Sequence, residues 1–142
     1  MIGGHGIGAP DGNGMPLTGW STTGGDLRVP HFVGMHAIQV LLLITAVLGV
    51  LANRRRWLRD ERVRARLVGI AALGYTGVFT VLAWQAWRGQ ALAHPDGLTM
   101  MAFALIAVLT LVAAVISVAR ARPTVTRHAP PGTRPGLAAH RR

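Results

Sequence analysis

The chain has 142 residues, of which 51% are hydrophobic and 14% charged, and its 15 basic residues against 5 acidic ones give a formal net charge of +10. All the basic residues other than histidine are Arg, and there is no Cys. That length limits the chain to one domain. The cysteine count excludes disulfides, thiolate metal sites and thiol nucleophiles, and five carboxylates are too few for a carboxylate-rich active site. A mean hydropathy of +0.39 beside so high a charge requires the two properties to be segregated along the sequence, and they are.

Residues 1–29 are a Gly- and Pro-rich segment, with Gly3, Gly4, Gly6, Gly8, Gly12, Gly14, Gly19, Gly24 and Gly25 beside Pro10 and Pro16. Such a segment should be irregular and bury little. It lacks a basic stretch followed by an apolar core near the start, so no signal peptide is expected. Residues 30–120 then read as a membrane domain. The first apolar run covers 31–52, with Gln39 and Thr45 as the polar residues of its centre. Pro30 fits the first turn of a helix, where its missing N–H costs nothing.

The second run, 67–87, and the third, 98–119, contain no Asp, Glu, Lys or Arg, and neither does the first. A bilayer core of ~30 Å needs ~20 helical residues at ~1.5 Å each, so each run is long enough to cross. In lipid the backbone must satisfy its own hydrogen bonds, which makes each run an α-helix. Three uncharged runs in so short a chain argue against buried helices of a soluble core. The expected fold is therefore all-α, an integral membrane protein with three transmembrane helices.

Orientation follows from the arginines. Residues 53–66 form a basic loop with seven Arg, and the segment from Arg120 onward adds six. Arg28 and Arg88 are the remaining two. The positive-inside rule then places the loop and the C-terminus in the cytoplasm and the N-terminus outside, in the plasma membrane. Topology explains the arginines without a nucleic-acid partner, and anionic lipid headgroups are their expected ligand. Trp57 should sit at headgroup level, and Arg59, Asp60, Glu61 and Arg62 suit local ion pairs on a short interfacial helix. Residues 121–142, with Pro123, Pro130, Pro131 and Pro135 among arginines, should form a disordered basic tail.

At the other boundary, Trp84 and Trp87 look like an aromatic belt, Gly89 a helix C-cap, and His94-Pro95-Asp96-Gly97 a turn. The second and third helices should be an antiparallel hairpin. Helix 2 carries small residues, Ala72, Thr76 and Thr80 at four-residue spacing and Gly69, Gly74 and Gly77 on nearby faces, which favour close helix packing in lipid.

Polar groups inside a membrane are costly, so their placement is informative. The helical rise puts His36 about 7–8 Å deeper than His31 and Gln39 about 12 Å deep, with Gln85 and Trp84 at about 5–6 Å and Thr80 at about 12 Å on helix 2. Asp26, Arg28, Arg88, His94 and Asp96 lie just outside. Asp26, Arg28, His31, His36, Gln39, Trp84, Gln85 and Arg88 thus form an expected outer-leaflet polar cluster. Its plainest role is structural, with His36, Gln39 and Gln85 hydrogen-bonding between helices.

No cofactor is predicted. An alternative is a redox protein that binds haem b or a metal such as copper through His36, with or without His31. Helices 2 and 3 contain no His, and His31 and His36 point about 140° apart. A haem would therefore need two copies of His36 in a dimer, or Met100 or Met101 as second ligand. Copper would suit the His and Met residues in ligand softness, but they show no tight pairing, and no HExxH signature is present. Thr45, Thr76 and Thr110 at mid-membrane do not make an ion-coupled transporter.

The stretch from Gly19-Trp20-Ser21-Thr22-Thr23 through Asp26-Leu27-Arg28-Val29-Pro30-His31-Phe32 to His36-Ala37-Ile38-Gln39 resembles a segment of uncharacterised polytopic membrane proteins of high-GC actinobacteria. Gly74-Tyr75-Thr76-Gly77 and Trp84-Gln85-Ala86-Trp87-Arg88-Gly89-Gln90 look similar too, so the likeness covers roughly 5–97. It implies a membrane location and groups the eight polar-cluster residues into one motif; it implies no activity. Proteins of that group carry further spans before this segment, which makes the expected role that of a short paralogue, a fragment or half of a split protein. The overall expectation is a small non-enzymatic membrane subunit that self-associates or joins a larger complex.

Overall fold

A computed structural model describes residues 4–8 and 14–122. Three long helices dominate: α1 Arg28–Arg54, α2 Glu61–Trp87 and α3 Gly97–Ala121, of 27, 27 and 25 residues. At 1.5 Å per residue they are about 37–40 Å long, and all three are long and apolar enough to cross a membrane. The described residues thus form an all-α membrane protein with three helices able to span, as the three uncharged runs require.

Each helix outruns its apolar core, and α2 does so most, reaching six residues back into the basic loop. Asp60 explains that start. Its carboxylate accepts the Arg62 N–H at 2.8 Å and caps the helix, while Glu61 places a second negative charge in the first turn. Between α1 and α2 the interfacial turn expected around Trp57 is a 3-10 turn, Arg56–Arg59. Leu58 is buried there against Ala52 and Val63, with Leu48, Leu67 and Ala121 around it, so the basic end has a small apolar core of its own.

α2 ends in a Schellman motif. The Gly89 N–H donates to the Ala86 carbonyl at 3.0 Å and the Gln90 N–H to the Gln85 carbonyl at 3.1 Å, with Gly89 at φ +72°. The following turn closes at His94 N–H to Ala91 carbonyl, 3.2 Å, three residues before the expected His94–Gly97 turn. Asp96 is then released to cap α3 through the Thr99 N–H at 2.8 Å.

α2 lies between its neighbours and packs on both, whereas α1 and α3 have almost no direct contact. Two faces of α2 serve this. Gly74 and Gly77 let α3 approach, for a Cβ on them would press on Thr110 and Ile106. On the other side the Tyr75 hydroxyl donates to the Val33 carbonyl of α1, and Phe79 fills the notch at Gly34. Thr76 and Thr80 turn their hydroxyls back to the Ala72 and Thr76 carbonyls, at 2.9 and 2.8 Å, so they hold no neighbour.

The N-terminal segment is more ordered than its composition suggests. β1, Gly6–Ile7, pairs antiparallel with β2, Gly25–Asp26, in the register Gly6 to Asp26 and Ile7 to Gly25. Gly14 bridges Ser21, and the Leu27 N–H donates to the His5 carbonyl at 2.9 Å. Two-residue strands leave no periodic signal in sequence, and glycine is what lets them lie flat on the end of α2. The basic tail expected at 121–142 lies outside the described residues from 123 on, with α3 continuing through Ala121.

Candidate functional site

The polar residues at the N-terminal end of α1 and around the α2–α3 turn gather into two ion-paired groups joined by a buried glutamine. The first centres on Asp26, which is 3% exposed. Its carboxylate accepts the backbone N–H groups of Ser21 and Arg28, each at 3.0 Å, and the Arg28 guanidinium through Nε and Nη2 at 3.0 and 2.6 Å. Arg28 Nη2 also donates to the Gly19 carbonyl at 2.7 Å. Burial pushes the Asp26 carboxyl up, but the hydrogen bonds from the Arg28 side chain and from the Arg28 and Ser21 backbone outweigh it and bring the pKa down to about 2.

The second group spans the α2–α3 turn. Arg88 Nη2 meets Asp96 Oδ2 at 2.7 Å, and its guanidinium carbon lies 4.5 Å from the centroid of the Trp84 ring. Thr99, fully buried, donates its hydroxyl to Gln90 Oε1 at 2.8 Å. Thr99, through its side chain and backbone N–H, and then Arg88 hold the Asp96 carboxyl well below the usual carboxylate range.

Gln85 stands between the groups and is 2% exposed. Its Nε2 donates to the Ala91 carbonyl at 2.9 Å, and its buried Oε1 has no donor among the described residues. Asp26, Gln85 and Gln90 line one small cavity there. Asp26, Arg28, Trp84, Gln85 and Arg88 lie together at this end of the protein.

His31, His36 and Gln39 do not join them. All three are exposed on α1. The expected hydrogen bonding between helices through His36, Gln39 and Gln85 is not made, because each finds a carbonyl closer to hand. His36 Nδ1 contacts the Phe32 carbonyl at 2.8 Å, and the Gln39 amide nitrogen donates to the Met35 and His36 carbonyls at 2.9 and 3.3 Å. Helical rise fixes depth in the membrane but not which side of α1 meets α2. The Phe32 ring lies 4.1 Å from His36 and 5.8 Å from Trp20, forming an aromatic row from the N-terminal segment onto α1.

An imidazole whose Nδ1 is turned to a carbonyl of its own helix leaves Nε2 as the ring nitrogen available to a ligand. No three metal-ligating His, Cys, Asp or Glu side chains come together among the described residues. Ser21, Gln90 and Thr99 are members of the assembly that sequence reading did not single out. Thr99, three residues after Asp96 at a helix start, carried the one usable signal, the spacing of an N-cap with its N3 residue.

The protein class is settled by the fold as a membrane-spanning helical layer. No family model, no curated protein and no solved structure matches the chain.

Proposed function

We propose that the protein is a non-enzymatic membrane subunit that associates, through the exposed face of α1, with a second copy or a larger membrane complex. The observation that carries this reading is the exposure of His36 and Gln39 within a span, on the part of α1 not used against α2. Polar side chains inside a bilayer ordinarily face a protein interior. A partner helix laid on this face would give His36 and Gln39 such an interior. In this reading the basic end faces the cytoplasm and the N-terminal segment lies outside the plasma membrane, in line with the positive-inside rule.

Cysteine scanning in native membranes tests it. Gln39→Cys should crosslink, to itself or to another protein, while Val115→Cys on the exposed side of α3 should not. Equal, weak labelling at both positions would remove the reading.

The exposed His36 ring, with Nδ1 turned to the Phe32 carbonyl and Nε2 pointing away from it, favours a second reading, in which Nε2 is an axial ligand for haem or a transition metal shared with a partner. An absorption spectrum of the protein purified in detergent separates the two. A Soret band that disappears in His36→Ala would establish the second reading; no such band and no stoichiometric metal would end it.

A further inference from the structure

At the basic end, α1 and the 3-10 turn leave an open groove of about 570 Å³ between them, within the range of small-ligand sites. One wall is a single stripe of α1: Thr45, Gly49, Ala52 and Asn53. Its mouth is formed by Arg59 and Arg64. Gly49 faces open space in this groove, with nothing within 4 Å of where a Cβ would stand, so the helix surface there is left bare for an acyl chain. The Thr45 hydroxyl is turned back to the Leu41 carbonyl at 2.8 Å and asks for no polar partner. From Thr45 to Asn53 the helix rises about 12 Å, so the groove runs from the guanidinium groups along the span towards its middle.

Both arginines are held in place by the chain. Arg59 Nε donates to the Ala52 carbonyl at 3.4 Å, and Arg64 Nη1 to the Leu58 and Arg59 carbonyls at 2.8 and 3.1 Å. Glu61 draws Arg64 Nη2 at 3.4 Å, but its own side chain is 89% exposed. These bonds leave the Nη groups of Arg59 for an anion, in the fork geometry that suits phosphate. Arg54, Arg55, Arg56, Arg62 and Arg66 are all exposed around this end and raise the local positive potential.

We propose that this groove holds one anionic phospholipid, its phosphate on the Nη groups of Arg59 with the Arg64 charge beside it, and an acyl chain along Thr45 and Gly49. A phosphate from solution would satisfy the mouth only. A zwitterionic lipid would fill the slot but bring its own cation to a strongly positive surface. The anionic lipid satisfies charge and hydrocarbon together.

The experiment uses the full chain in neutral detergent, with phosphatidylglycerol, phosphatidylcholine or inorganic phosphate added. Lipid retention is read by native mass spectrometry and stability by thermal unfolding. One phosphatidylglycerol per chain should be retained, with a rise in melting temperature that neither phosphatidylcholine nor phosphate produces. Arg59→Gln with Arg64→Gln should weaken retention roughly 30-fold. Because those arginines also hold the turn, Gly49→Leu provides the second variant: it keeps every charge, fills the slot, and should lose the retained lipid. Arg62→Gln with Arg66→Gln removes as much charge outside the groove and should keep it. Equal retention of the two lipids, an equal shift with phosphate, equal losses in both arginine pairs, or undiminished binding in Gly49→Leu would each overturn the proposal.

Discussion

Gly25 lies directly against the carbonyl group of Ala86, so that a methyl group on Gly25 would overlap it and come within 2.9 Å of the Gly89 Cα. Backbone meets backbone here, and neither can yield as a flexible side chain would. Gly25→Ala should therefore lift the N-terminal segment from the end of α2, at a cost of about 1–3 kcal/mol. Limited proteolysis should show faster cutting between residues 14 and 24 with unchanged helix content by circular dichroism. The control is Gly49→Ala, which has open space and should be neutral or slightly stabilising.

The same contact depends on pH through Asp26. Its pKa is lowered from 3.8 to about 2 on folding, so its carboxylate binds fewer protons in the folded state. The stabilisation, about 2 kcal/mol, is complete above the unfolded value and is lost as pH falls from about 4 to about 2. Hydrogen exchange at Leu27 and Ser21 should accelerate across that interval. In Asp26→Asn the step should vanish, with exchange already fast at neutral pH; an unchanged step would assign the titration to another group.

Gly74 sets how closely α2 and α3 approach, for a Cβ there would stand 2.6 Å from the Thr110 hydroxyl oxygen and 2.9 Å from its methyl carbon. Gly74→Leu should push the helices apart and lower the melting temperature in detergent, with a loss of about 1–3 kcal/mol. Gly69→Leu, on open surface of the same helix, should leave it unchanged or raise it. Matching losses at both positions would mean that leucine disturbs α2 itself rather than its seam with α3.

Gln85 is the polar anchor of the α2–α3 turn. Gln85→Leu keeps the volume but leaves the buried Ala91 carbonyl without its donor, which should cost about 1–3 kcal/mol. Gln39→Leu, by contrast, leaves no carbonyl stranded, because the Met35 and His36 carbonyls lie within a helix, and monomer stability should be unchanged. Thermal unfolding of both variants in detergent checks the contrast.

Much of this architecture was legible in the residues. The three apolar runs, Gly89 as a C-cap and the grouping of Arg88 with Trp84 all follow from local chemistry. Two things were not. The position of His36 and Gln39 around α1 depends on which face α2 selects, and that choice is made by Gly34 meeting Phe79 and Val33 meeting Tyr75, contacts between distant segments. The pairing of Gly6–Ile7 with Gly25–Asp26 rests on four residues, three without reference to hydrophobic pattern, so only the folded backbone reveals it.

Placing α2 between α1 and α3 has a geometric consequence. Among the described residues, a row of three helices has two broad sides and two edges and does not close into a ring. A route across the bilayer would have to be walled by several chains set side by side, and the two outer helices would then be the staves at which neighbours meet.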